Sequence, residues 1–77
     1  MASISFVIPA FNESKRILST VQQILKVIKD LNLKNFEIII IDDNSTDTTP
    51  DVIENIKKKY SRILILSYRN KKNLGFG

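Results

Sequence analysis

The sequence predicts an α/β fold, a βαβαβ unit that forms half of a doubly wound parallel sheet. Three short apolar runs rich in β-branched residues alternate with two segments of helical periodicity. The middle run, Ile38 to Ile41, is apolar at every position, as expected of a strand covered on both faces. Polar or acidic residues follow the first two runs directly, where an open α/β sheet builds its ligand crevice.

The first run is Ile4-Ser5-Phe6-Val7-Ile8, and Pro9 should end it because proline cannot donate to a sheet ladder. Ser14 is placed to cap the next helix. Ile17, Leu18, Val21, Ile24, Leu25, Ile28 and Leu31 recur at helical spacing and predict an apolar stripe on a helix of about five turns. Asn32 to Asn35 form the exit turn, and Phe36 to Ile41 the second strand. Thr48 or Thr49 can cap the second helix, with Pro50 in its first turn, where a missing N–H costs nothing. Val52, Ile53, Ile56 and Tyr60 supply its buried stripe. Ile63 to Leu66 form the third strand, and Arg69 to Gly77 a loop. Right-handed crossovers set the strands in the order 3-2-1 with both helices on one face, leaving the first strand with an open edge.

Size and composition narrow the chemistry. Seventy-seven residues make one small domain at most, with a marginal core. The ending Asn73-Leu74-Gly75-Phe76-Gly77 reads as a loop, so a truncated larger domain is expected. Without cysteine or histidine, thiolate and imidazole zinc sites and the Ser-His-Asp and Cys-His mechanisms are excluded for this stretch. The net charge of +4 gathers at Lys57 to Lys59 and Arg69 to Lys72. Lysines in the last turn of a helix complement its dipole, which explains the first cluster without any partner. A nucleic-acid module would rest on the lysines alone, with no aromatic-rich sheet face, so no nucleic-acid partner is expected. No secretory signal and no apolar run long enough to span a bilayer is present, and a cytosolic or cytosol-facing location is expected.

Asp42 and Asp43 are neighbours in an extended segment and leave it on opposite faces, so one can face the crevice while the other holds the loop. A carboxylate only accepts hydrogen bonds and therefore favours donor-rich ligand edges. Ribose hydroxyls, the N3–H of uracil and the N1–H and N2–H₂ of guanine fit; adenine fits less well. The plainer reading is that these aspartates satisfy backbone N–H groups, and for Asp47, beside a helix start, that reading is preferred. Phe11 offers a flat face for a base or a core contact. Glu13 offers another acceptor or a partner for the positive end of its helix. No Gly-x-Gly-x-x-Gly follows the first strand and no Walker loop is present.

Val-Ile-Pro-Ala-Phe-Asn-Glu at 7–13, Glu37 through Asp47, and Asn73-Leu74-Gly75-Phe76-Gly77 together resemble the opening of a family 2 glycosyltransferase of the Rossmann-like GT-A fold. Glu-Ser-Lys-Arg-Ile at 13–17 and the Asn-x-Gly-x-Gly ending are similar to the dolichol- or polyprenol-phosphate sugar transferases. The resemblance implies that residues 1–77 form the N-terminal, nucleotide-sugar-binding part of a single glycosyltransferase domain, inactive by itself. Pro9, Ala10, Phe11 and Glu13 would line the pocket for base and ribose. Asp43 would be the main contact to the base, with Asp42 supporting it, and Asn73 and Gly75 would lie near the donor. Phe11 stands where the family often has tyrosine. Asn44 replaces a common glycine, and asparagine tolerates the left-handed backbone such a turn needs. The UDP- or GDP-linked donor would pass its sugar to an acceptor such as a polyprenol or dolichol phosphate. The Asp-x-Asp that holds Mg²⁺ or Mn²⁺ follows a fourth strand in the family, so the metal ligands would lie outside this chain. An alternative is a signalling receiver domain, whose first strand also ends in an acidic pair that binds Mg²⁺; here a whole strand and helix precede that pair. The open edge of the first strand invites pairing with another chain, so the isolated fragment is expected to self-associate or fold poorly.

Overall fold

A computed structural model describes residues 4–71 of the chain. The elements run β1 (Ile4–Ala10), α1 (Ile17–Asp30), β2 (Phe36–Asp42), α2 (Thr49–Lys59) and β3 (Ile65–Arg69). The strands form one parallel sheet with β2 in the centre, paired to β1 on one side and β3 on the other. This is the predicted order, 3-2-1 read from the other side.

Strand alternation sorts the side chains. Ile8 and Ala10 of β1, Ile38 and Ile40 of β2 and Ile65 of β3 are buried on one face. Ile17 and Val21 of α1 and Ile53 and Ile56 of α2 join them in a single core. Both helices therefore lie on that face. Each fully buried isoleucine contributes about 1.5–3 kcal/mol, so this cluster is the main reason the unit holds together.

The second face corrects the expectation of a strand covered on both sides. Ile39 and Ile41 are only half-buried, and Val7 and Tyr68, which flank them in the register, are exposed by 56% and 59%. Among the described residues both helices are committed to the opposite face, so this one has no comparable cover.

Several element boundaries differ from the sequence reading. β1 continues through Pro9 to Ala10, because on an outer strand the side lacking an N–H can face away from β2. Helix α1 starts at Ile17 and is not capped by Ser14, whose amide instead donates to Asp47. The Glu13 carbonyl accepts the Arg16 and Ile17 amides and closes the turn ahead of the helix. The helix has 14 residues rather than five turns, and Leu31, at its C-cap, is 65% exposed instead of completing the stripe. β3 is displaced along the chain from Ile63–Leu66 to Ile65–Arg69. The Ile63 amide is held by the Tyr60 carbonyl in the turn after α2, so the ladder starts later and runs to a polar end.

Candidate functional site

The carboxyl ends of β1 and β2 lie side by side, with Ala10 opposite Asp42 in the register. The Asp43 amide donates to the Ala10 carbonyl at 2.7 Å, extending the contact past the last paired residues. Two loops leave this edge: residues 11–16 towards α1 and residues 43–48 towards α2. Each turns through an asparagine at positive φ, Asn12 at 52° and Asn44 at 61°. Asparagine occupies this left-handed region more readily than most side chains, so the turn expected at Asn44 is preserved.

Asn12 ties the loops together. Its amide donates to Ser45 Oγ at 2.9 Å, and its Oδ1 accepts the amides of Thr46 at 2.8 Å and Asp47 at 3.3 Å. The Glu13 amide donates to Thr49 Oγ1 at 2.9 Å, and the Ser14 amide to Asp47 Oδ2 at 3.4 Å. Amides that would otherwise lie idle in the first loop are thus satisfied by side chains of the second.

Asp47 also caps α2. Its Oδ1 accepts the Thr49 amide at 2.9 Å and the Thr49 hydroxyl, while Thr48, at the formal cap position, makes no side-chain cap bond. The hydroxyl bond from Thr49 is the chief reason that the Asp47 carboxyl lies below its ordinary value of 3.8, at about 2, with the Thr49 and Ser14 amides adding to it. The preferred sequence reading of Asp47, a carboxylate serving backbone N–H groups at a helix start, is what the structure contains.

The two central aspartates are both buried, at 3% and 0% exposure for Asp42 and Asp43. Asp42 Oδ1 accepts the Ser45 amide at 3.0 Å, and its Oδ2 accepts Arg69 Nη1 at 2.8 Å. Asp43 Oδ1 accepts Asn70 Nδ2 at 3.3 Å. The remaining sequence candidates surround this pair. Ala10 is packed in the core and Pro9 is exposed on the outer strand. Phe11 and Glu13 are half-buried on the rim, and Glu13 borders a hollow of about 410 Å³ with Asn12, Ser14, Lys15, Arg16 and Asp47. Asn73 and Gly75 lie outside the described residues. Asn12, Ser45, Thr49 and Arg69 were not singled out from the sequence as site residues. Each has a partner 24 to 36 positions away, beyond any local pattern.

Among the described residues no group of three or more His, Cys, Asp or Glu side chains could hold a metal ion.

Comparison with known proteins gives a consistent picture. The model of the family described as "Glycosyl transferase family 2" matches residues 5–77. A Methanococcus voltae dolichyl N-acetyl-alpha-D-glucosaminyl phosphate 3-beta-D-2,3-diacetamido-2,3-dideoxy-beta-D-glucuronosyltransferase is 40% identical over 94% of this chain and 22% of its own length. A Trichomonas vaginalis dolichyl-phosphate beta-glucosyltransferase is 35% identical over 83% of this chain and 21% of its own. A Campylobacter jejuni GalNAc(5)-diNAcBac-PP-undecaprenol beta-1,3-glucosyltransferase is 35% identical over 94% of this chain and 22% of its own. The chain spans about a fifth of the length of these relatives.

Proposed function

The chain belongs to glycosyl transferase family 2, and from that premise we propose that it supplies the donor-nucleotide pocket of a sugar transferase. The observation that supports this most is the crevice at the carboxyl ends of β1 and β2. There Phe11 offers a flat apolar surface, and Asp43 offers a carboxylate that prefers a donor-rich base edge. Asn70 now gives that carboxylate an amide N–H. The N3–H of uracil or the N1–H and N2–H₂ of guanine is a donor of the same kind, and takes its place on binding. UDP- or GDP-linked sugars are therefore the donor class, with Pro9, Ala10, Glu13, Asn73 and Gly75 around the base and ribose.

The acceptor we assign is a polyprenol or dolichol phosphate, supported by the names that the relatives carry. Such a lipid fits work at the cytosolic face of a membrane. No helix among the described residues is long and apolar enough to cross one. Mg²⁺ or Mn²⁺, held by residues outside this chain, would neutralise the leaving diphosphate. The receiver-domain alternative loses its support, because the family match extends across the acidic pair and both helices.

The test is a titration of the ¹⁵N-labelled chain with UDP, GDP and ADP. Weak binding of UDP or GDP, with shifts centred on Phe11, Glu13 and Asp43 and no comparable response to ADP, is expected. Equal response to all three would refute the carboxylate-to-base reading. Sugar transfer by the isolated chain would refute the claim that it holds only the donor pocket.

A further inference from the structure

We propose that Asn12 is a positioning residue of the crevice: it staples the loop after β1 to the loop after β2, and so sets the stretch from Phe11 to Glu13 that a base and ribose would meet. The proposal rests on the donor-pocket reading above for its ligand, and on the geometry alone for the staple.

Three consecutive amides of the first loop end on side chains of the second. Asn12 donates to Ser45 Oγ at 2.9 Å, Glu13 to Thr49 Oγ1 at 2.9 Å and Ser14 to Asp47 Oδ2 at 3.4 Å. Ser45 and Thr49 are 3% and 0% exposed, so the Asn12 and Glu13 amides are held by groups shielded from water. Asn12 returns the contact with its side chain. Its Oδ1 accepts the Thr46 amide at 2.8 Å, the Asp47 amide at 3.3 Å and the Thr46 hydroxyl at 3.4 Å. Bonds therefore cross between the loops in both directions at this one residue.

The backbone explains why asparagine stands here. Asn12 lies at φ 52°, a region open to glycine and tolerated by asparagine and aspartate. Glycine offers no side-chain acceptor, whereas the asparagine carbonyl has two lone pairs for the amides of the facing loop. Phe11 and Glu13 are the covalent neighbours of Asn12, so fixing the peptides around it fixes where their side chains start. A loop already held in its binding geometry gives up less conformational freedom when a ligand arrives. The coupling also runs the other way, because linkage is reciprocal: a nucleotide seated on Phe11 and Glu13 steadies the Thr46 amide through Asn12.

The experiment compares the full chain with Asn12→Gly, which keeps the turn and removes the acceptor, and Asn12→Asp, which keeps both. Hydrogen exchange at Thr46 and the affinity for UDP and GDP are measured well below each melting temperature. Asn12→Gly should speed Thr46 exchange about tenfold and weaken the UDP or GDP Kd about tenfold. Saturating UDP or GDP should slow Thr46 exchange about threefold in the parent chain and leave it unchanged in Asn12→Gly. Asn12→Asp should keep the Thr46 protection and the Phe11 and Glu13 amide shifts of the parent. A parent-like Kd in Asn12→Gly overturns the proposal, since a merely stabilising residue lowers the Tm and leaves the folded pocket intact. Failure of Asn12→Asp to restore Thr46 protection overturns it as well. If Asn12→Gly does not fold, Ser45→Ala decides, because it removes the acceptor of the Asn12 amide from the other loop. A weakened Kd there supports the staple, and an unchanged one overturns it. If the parent chain binds neither UDP nor GDP, the donor-pocket reading fails, and Thr46 exchange with the Phe11 and Glu13 shifts alone decides whether Asn12 sets the loop.

Discussion

The two faces of the sheet are written in nearly the same alphabet and end in different states. Ile38 and Ile40 point to one face and are fully buried under α1 and α2; Ile39 and Ile41 point to the other and are half-buried. Leu66 and Tyr68 continue that second face across β3, as do Val7 and Pro9 across β1. Apolar sequence therefore reports what a residue is suited to contact, whereas burial reports what is present to contact it. The helices of this chain complete one face, and its stability should be concentrated there.

The largest effect should come from hollowing the completed face. Ile40→Ala should cost about 2–5 kcal/mol and leave the chain largely unfolded at ambient temperature, as read by urea titration of the far-ultraviolet signal. A loss below about 1 kcal/mol would break the contrast. Next is the rim. Asn12→Ala removes an acceptor from the Thr46 and Asp47 amides and places alanine at φ 52°, so a loss of about 1–3 kcal/mol is expected. Hydrogen exchange at Thr46 should accelerate more than exchange at Ile40. Equal acceleration would mean that the rim and the core open as one unit.

Acid should act on the rim before it acts on the core. Asp47 titrates lower in the fold, at about 2, than its ordinary 3.8. A depressed carboxyl stabilises the fold fully above its unfolded value and ceases to do so as pH falls towards its folded one. Between pH 4 and pH 2, therefore, the amides of Ser14 and Thr49 should lose protection progressively, while Asp47→Asn removes this pH dependence. Protection that is flat over that interval would disprove the assignment.

The smallest effect is expected on the second face. Tyr68→Ser should change stability by no more than about 0.5 kcal/mol. Val7→Lys should lower the sedimentation mass of the chain at high concentration, because it places a charge on the outer strand where self-association is proposed. A monodisperse parent chain with a cooperative melt would remove the reason for the second of these.

Much of the frame was legible in the sequence because it depends on local repetition. The stripe from Ile17 to Ile28 marks a helix by its period, the unbroken β-branched run from Ile38 to Ile41 marks a strand by its composition, and the βαβαβ order fixes the sheet. The ends of elements were less legible, since they are decided by competition. The Ile63 amide goes to a turn, and Pro9 remains in a strand only because that strand is outermost. The site divided in the same way. Asp42 and Asp43 stood out by type and place, whereas Asn12 and Arg69 act through partners that only the register brings near. Once β3 is extended to Arg69, laying it beside β2 is enough to set an arginine against Asp42.

Pro9 has a further effect on traffic at the outer edge. The Ala10 carbonyl addresses the β2 side, so by alternation Ser5, Val7 and Pro9 address the open side. A visiting strand finds amide donors at Ser5 and Val7 and none at Pro9. Its ladder loses one hydrogen bond at Pro9, the step before Ala10 and the crevice mouth, where only the proline carbonyl remains to accept. Pairing along this edge is therefore weakened at its upper end, beside the crevice, and favoured lower down at Ser5 and Val7.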